Sequence, residues 1–322
     1  MQLLDLLILA SHLPHLIAAA SLGSTIASHN SLSILHDVLH YHDLIDDLNE
    51  ARNVTYFAPN NAALKYLADF GINLTTADPD IAKALIYYSL VDGAHSSKSI
   101  INNDHIQLVH SSLYPPLFTN VSDGQALKLT KNTTGSQPKV VLETGLQILT
   151  EVEESDIEFD HGFIHATGTN MVLPHNVSET CRLGQLKEFL RLVRSSGTEL
   201  EINTLADMTV FIPHDAAVSR MNPLLEALNP TELAAVVRNH AVAGQVIYQD
   251  EVVDPVLEVE TISGKVLQMR RGSEGQMFVN NVNIVRSDVL LYGGVAHIID
   301  GILLPGLSKS LVLLCSFVTN GV

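Results

Sequence analysis

Apolar residues along this chain fall into short runs of two different periods, and the pattern of runs occurs twice. Residues 54–58 (VTYFA) and 208–212 (MTVFI) are β-branched or aromatic stretches, each closed by a proline, Pro59 or Pro213. Proline has no N–H to give to a ladder, so each run is read as a strand that stops there. A helix is expected directly afterwards. Asn60 or Asn61 in one copy, and Asp215 in the other, can accept hydrogen bonds from first-turn amides, and Ala62, Ala63, Leu64 and Leu67 supply an apolar stripe. A second helix is predicted from Pro79 or Pro230, where proline suits the first helical position, with Asp78 or Asn229 as cap. It should close before Gly93 or Gly244. Residues 140–142, 146–149, 266–269 and 276–285 alternate in strand fashion, and Asn280-Asn281 in the last run suits a tight hairpin turn. Each copy therefore reads as α+β, helices first and a strand-rich second half.

Duplication explains the recurrence. The ten residues from Thr55 (TYFAPNNAAL) return at Thr209 (TVFIPHDAAV), an offset of 154, with five of ten identical. Residues 79–93 match 230–244 at 151, and Asp156-Ile157 with Gly162-Phe163-Ile164-His165 match Asp288-Val289 with Gly294-Val295-Ala296-His297 at 132. Each copy ends in Leu-Pro, Leu173-Pro174 and Leu304-Pro305. The fall from 151 to 132 places 151 − 132 = 19 extra residues in the first copy between Gly93 and Asp156. That insertion holds Tyr114-Pro115-Pro116 and a polar run over 131–138, compositions of a surface loop. Domains are placed at 31–174 and 177–305.

Composition narrows the setting. With 18 basic and 35 acidic residues the net charge is −17, which repels a phosphate backbone, so nucleic acid is excluded as a partner. Residues 3–20 are mostly Leu, Ile and Ala and end in Ala18-Ala19-Ala20 before Ser21, so 1–20 is read as a secretion signal; the alternative is a first amphipathic helix of the fold. No other segment has the run of about 18 apolar residues that a membrane span needs. The tail, 306–322, carries LVLLCSFV at 311–318; it resembles a lipid-anchor signal but is shorter than the usual about 10 to 20 residues, and a final strand is the alternative. Cys181 and Cys315 allow at most one disulfide. Five Asn-X-Ser/Thr acceptor sites, at Asn53, Asn73, Asn120, Asn132 and Asn176, point to the secretory route and N-glycosylation. Asn120 and Asn132 lie in the insertion, where a glycan has room.

The motif set resembles the fasciclin family, whose repeats open on Thr-X-Phe-X-Pro-X-Asn/Asp-X-Ala, carry Tyr-His or Asn-His at the end of a helix, and close on Gly-X-X-His-X-Ile-Asp-X-X-Leu-X-Pro. The second copy matches through Phe211, Pro213, Asp215, Ala217, Asn239-His240 and His297-Ile298-Ile299-Asp300 to Leu304-Pro305. In the first, Ser89 stands in place of the central His, and residues 166–170 (ATGTN) lack the Ile-Asp. The resemblance implies a wedge-like β-sandwich with a helical cover in each repeat, and a secreted or cell-surface protein that adheres to an extracellular protein or polysaccharide. It also implies binding roles near His240 and Asp300, in the second copy only.

Fifteen histidines call for a test of catalysis. His36 and His40 are four apart beside His42, Asp37, Asp43, Asp46 and Asp47, a spacing able to hold zinc, but no His-Glu-X-X-His is present and a solvated helix face is favoured. His165 and His297 recur at equivalent positions, which favours a shared hydrogen-bonding role. Nucleophile elbow, phosphate loop, Cys-X-X-Cys and dinucleotide fingerprint are all missing. The expectation is a protein without catalysis, cofactor or metal; the alternatives are a small-molecule or lipid-binding module, or a purely structural wall protein.

Overall fold

The computed structural model describes residues 20–252 and 256–306. The signal reading of 1–20, but for Ala20, lies outside them, as do Cys315 and the tail beyond residue 306.

In the first unit, α1 (Leu22–Ser28), α2 (Ser33–Tyr41) and α3 (Ile45–Glu50) precede the strand β1 (Val54–Pro59). Helices α4 (Asn61–Asp69) and α5 (Pro79–Tyr88) follow, then β2 (Leu90–Asp92), α6 (Ser97–Ile101) and β3 (Gln107–His110). Four strands finish it: β4 (Ala126–Asn132), β5 (Lys139–Glu143), β6 (Leu149–Phe159) and β7 (Gly162–Thr167). The second unit repeats the plan with α7 (Val177–Leu183), α8 (Lys187–Ser195), α9 (Glu199–Asn203), β8 (Met208–Pro213), α10 (Asp215–Leu225) and α11 (Pro230–Arg238). After β9 (Ala241–Val242) come β10 (Leu257–Glu260), β11 (Val266–Arg271), β12 (Met277–Val279), β13 (Val282–Leu291) and β14 (Gly294–Ile299). The sheets run β2-β1-β7-β6-β5-β4-β3 and, equivalently, β9-β8-β14-β13-β12-β11-β10. In both, the first long strand pairs in parallel with the last, Phe57 opposite His165 and Phe211 opposite His297.

Every residue of β1 and β8 is buried, because both faces of these strands are covered. Val54, Tyr56 and Ala58 pack under the helices with Leu22, Ile26 and Leu39, whereas Phe57 points into a second core with Leu127, Leu129 and Leu142. Val210 and Ile212 join Phe189 and Val236, and Phe211 meets Leu267 and Val279, in the same arrangement. Each sheet is thus folded over at β6 or β13, whose register shifts mark the bend, and the helices cap its outer layer. The first core reaches ahead of residue 31, since α1 begins at Leu22, capped by the Ser21 hydroxyl.

Several local readings hold and three need correction. Asn60, Asp78 and Asn229 cap their helices, Asn229 in a reciprocal pair with Glu232, and Asn280 takes φ 52° in the β12–β13 turn. In the second copy, however, the cap is His214, whose Nδ1 accepts from the Ala217 amide at 3.2 Å; Asp215 is the first helical residue and accepts from the Glu188 amide at 2.9 Å. Residues 146–148 are not a strand: Leu146 and Gln147 both have φ 58°, and β6 begins only at Leu149. The insertion, expected as an outlying loop, is in part a contact with the second unit. Asn120 N–H donates to Tyr292 O at 2.8 Å, Asp207 N–H donates to Asn120 O at 3.1 Å, and the buried Gln125 amide reaches Leu291 O at 2.9 Å.

That contact is small beside the cores. Its apolar part joins Leu108 and Ala126 to Val246, Tyr248, Leu290 and Val295. A chain ending at Pro174 and one beginning at His175 are therefore expected each to unfold in a single cooperative transition in urea, followed by circular dichroism. Two non-cooperative halves would mean that the units share one core.

Candidate functional site

The recurring polar motif residues meet at one node in each unit. Thr55 Oγ1 donates to Gly93 O at 2.7 Å and accepts the His95 amide at 2.8 Å. Thr209 does the same with Gln245 O at 2.9 Å and the Ile247 amide at 2.8 Å. Beneath this crossing lies the closing-motif histidine. His165 Nε2 donates to His95 O at 2.8 Å, its Nδ1 accepts the Asp156 amide at 3.1 Å, and its ring stacks on Phe57 with centroids 5.4 Å apart. In the second unit His297 Nε2 donates to Ile247 O at 2.9 Å and the ring stacks on Phe211 at 5.8 Å. Asp156 and Asp288 sit at the sheet bend with φ 59° and 53°, a backbone state that Asp tolerates better than most residues. Their carboxylates bind the next turn: Asp156 accepts from the Ser97 amide at 2.7 Å, Asp288 from the Gln249 amide at 3.0 Å.

Burial sets the protonation of this node. It pushes His165 and His297 below the ordinary histidine value, and Asp288 above the ordinary carboxylate value, because a charge in the core loses its hydration. Thr-X-Phe, Asp-Ile and Gly-X-X-His are thereby accounted for as struts that tie the central strands to the turn above them. The shared role expected of His165 and His297 is hydrogen bonding within the fold.

His240 and Asp300, far apart in sequence, act on one stretch of backbone. His240 is 1% exposed; its Nδ1 donates to Val236 O at 2.8 Å, and its Nε2 accepts the Leu303 amide at 3.0 Å. Burial lowers its pKa to about 4, so the ring is neutral at physiological pH. Asn239 grips the same residue, its amide donating to Leu303 O at 2.9 Å. Asp300 lies three residues earlier, half-buried. Its Oδ1 accepts the Asn283 amide at 3.0 Å, its N–H donates to Asn283 O at 3.0 Å, and its carbonyl accepts from Arg220 at 2.7 Å. His240 is a buried positioning residue under this segment, and Asp300 presents it to solvent. In the first unit Ser89 turns its hydroxyl back to Leu85 O at 2.8 Å, and the corresponding backbone at Val172 is held by Thr144 and Gly145 instead. The two units therefore differ at this place, as Ser89 and residues 166–170 imply.

The histidine-rich helix resolves into separate parts. His36 and His40 stack with ring centroids 6.4 Å apart, while His42 turns away to Leu74 O at 2.7 Å. Among the described residues no group of three or more His, Cys, Asp or Glu side chains is placed to hold a metal ion.

Sequence reasoning missed the interdomain contact, for which no periodic signal exists. It also missed a cleft of about 340 Å³ between the units, lined by Phe118, Leu173, Pro174, His175, Asn176 and Tyr292. No helix among the described residues is long and apolar enough to cross a membrane.

Two units of one plan, with the same strand order and the same histidine node, fit the comparison with known proteins. The sequence model of the Fasciclin domain matches residues 30–172 and 184–305. The chain belongs to the fasciclin family. It is 48% identical over 288 residues to the fasciclin-like arabinogalactan protein CTB11 of Cercospora beticola, covering 89% of this chain and 77% of that one. To the fasciclin-like arabinogalactan protein elcF of Phaeosphaeria nodorum it is 36% identical over 291 residues, 90% of each. Among solved structures it is similar to a FAS1 domain pair from the insect cell adhesion molecule fasciclin I, with 17% identity, a TM-score of 0.41, and coverage of 88% of this chain and 98% of that one. In this fasciclin pair the family motifs serve the fold, and Asp215 and Asp300 are half-buried motif carboxylates that each bind a backbone amide.

Proposed function

We propose that the protein is a secreted or wall-associated fasciclin pair that binds an extracellular protein or polysaccharide without acting on it chemically, and that the second unit carries the principal contact. The observation that carries this reading is the Asp300 segment. One carboxylate oxygen holds the Asn283 turn, the other accepts nothing among the described residues, and buried His240 fixes the chain just beyond it. A charge on rigid backbone loses little conformational freedom on binding. The acceptor sites for N-glycans and the arabinogalactan-protein names of the two relatives support the extracellular setting.

Asp300→Asn separates charge from structure, since the amide oxygen keeps the bond from Asn283 while the negative charge is lost. Adhesion of the isolated second unit to wall polysaccharides and matrix proteins should fall several-fold, with the thermal midpoint nearly unchanged. Equal adhesion by the two wild-type units, or loss only in step with unfolding, would remove Asp300 from the contact.

A second reading, binding of a small molecule or lipid, draws on the cleft between the units. Its volume of about 340 Å³ and its apolar lining from Phe118, Leu173, Pro174 and Tyr292 fall within the range of ligand pockets. The cleft lies where the two units meet.

A further inference from the structure

The acceptor site at Asn120-Val121-Ser122 is built into the contact between the units. Asn120 Nδ2, the atom that would carry a glycan, donates to Thr204 O at 3.1 Å. Ser122, the hydroxyl residue of the same acceptor site, donates from Oγ to Asp207 Oδ2 at 2.6 Å, and its amide donates to Asp207 Oδ1 at 2.7 Å. The Asn120 backbone is bound on both sides, to Tyr292 O and the Asp207 amide, and Thr119 Oγ1 reaches Tyr292 O at 3.3 Å. Asn73 is different: it is exposed, its Oδ1 accepts from the amide and hydroxyl of Thr75 at 3.1 and 2.6 Å, and its Nδ2 faces no partner among the described residues.

We propose that residues 119–122 are an interdomain clasp, and that a glycan on Asn120 and docking of the two units exclude each other. The physical reason is position. A sugar on Nδ2 would lie where the 204–207 turn now sits, and would separate Asp207 from Ser122. The rest of the contact is small, Leu108 and Ala126 against Val246, Tyr248, Leu290 and Val295 with single bonds from Gln125 to Leu291 O and from Arg286 to Gln147, so loss of the bonds at 119–122 loosens the units. The glycan half of the proposal rests on the secretory reading above; the clasp half does not.

Two arms test it, both on the full chain. In protein from a glycosylating secretory host, glycopeptide mass spectrometry should find Asn73 occupied and Asn120 bare, with a compact X-ray scattering profile. Any fraction occupied at Asn120 should be extended; a compact fraction occupied at Asn120 overturns the exclusion. In unglycosylated bacterial protein, Asn120→Gln combined with Ser122→Ala should increase the radius of gyration while the circular dichroism stays that of the wild type. An unchanged radius overturns the clasp. If Asn73 and Asn120 are both bare in the secretory host, the secretory reading falls, and the bacterial arm still decides the clasp.

Discussion

Replacing His240 by alanine is expected to destabilise the second unit by about 3 kcal/mol and to remove most of its sensitivity to mild acid. The imidazole is fully buried against Phe189, so truncation leaves a cavity. It also strands the Leu303 amide, whereas the Val236 carbonyl keeps the Asn239 amide at 3.1 Å. Each buried polar group left unpaired costs about 1–3 kcal/mol. The acid effect follows from linkage. The folded pKa is about 4 against an ordinary value of 6.5, so between those values the unfolded chain binds a proton that the folded chain does not. Stability from this group is therefore fully present above about pH 6.5 and falls as the pH drops towards 4, by about 3 kcal/mol over the window. His165 and His297, lowered by burial, act in the same direction; Asp288, raised by burial, opposes them in the second unit. Urea unfolding of the isolated second unit at several values between pH 7 and 4 measures this. A His240→Ala protein with the wild-type pH slope would show that the buried ring is not the acid-sensitive group.

Much of this fold is written in local chemistry. Prolines at 59 and 213 end strands because they cannot donate, asparagines at 60 and 229 cap helices, and Asn280 accepts the left-handed turn. Where the reading failed, a tertiary contact had overridden a local preference. Asp215 is a good cap in isolation, but its carboxylate is drawn to the amide of Glu188 on α8, and His214 takes the vacant place. Residues 146–149 have strand composition, yet Gly145 is bonded to Val172 O and the chain must turn there. The polar, proline-containing insertion looked like solvent-facing loop. Its polar side chains are satisfied by backbone groups of a unit more than 80 residues away, which no window along the sequence reveals. The site was legible in part: His240 and Asp300 stood out by resemblance, but only coordinates show that one is buried beneath the segment that the other begins.

The glycine that opens the closing motif in each copy makes the last prediction. Gly162 lies opposite Val54 and Gly294 opposite Met208, at the start of the parallel pairing between first and last strands. A Cβ on either would overlap the carbonyl oxygen of the facing residue, which is backbone and cannot swing aside. Gly294 also has φ 148°, whereas Gly162 carries no such restriction, so the two substitutions differ in backbone strain and share the collision. Gly275, in the β11–β12 turn, supplies the converse: φ 85° with nothing near a Cβ. Gly275→Ala should therefore cost about 1 kcal/mol through strain alone. Gly162→Ala and Gly294→Ala should each cost about 3 kcal/mol or more, because the ladder must part where it begins. Gly162→Ala should lower only the transition of the first unit and Gly294→Ala only that of the second, as read by calorimetry on the full chain. If Gly162→Ala cost no more than Gly275→Ala, the close approach of the strands would be relieved by a small shift, and the glycine of the motif would owe its place to something other than room.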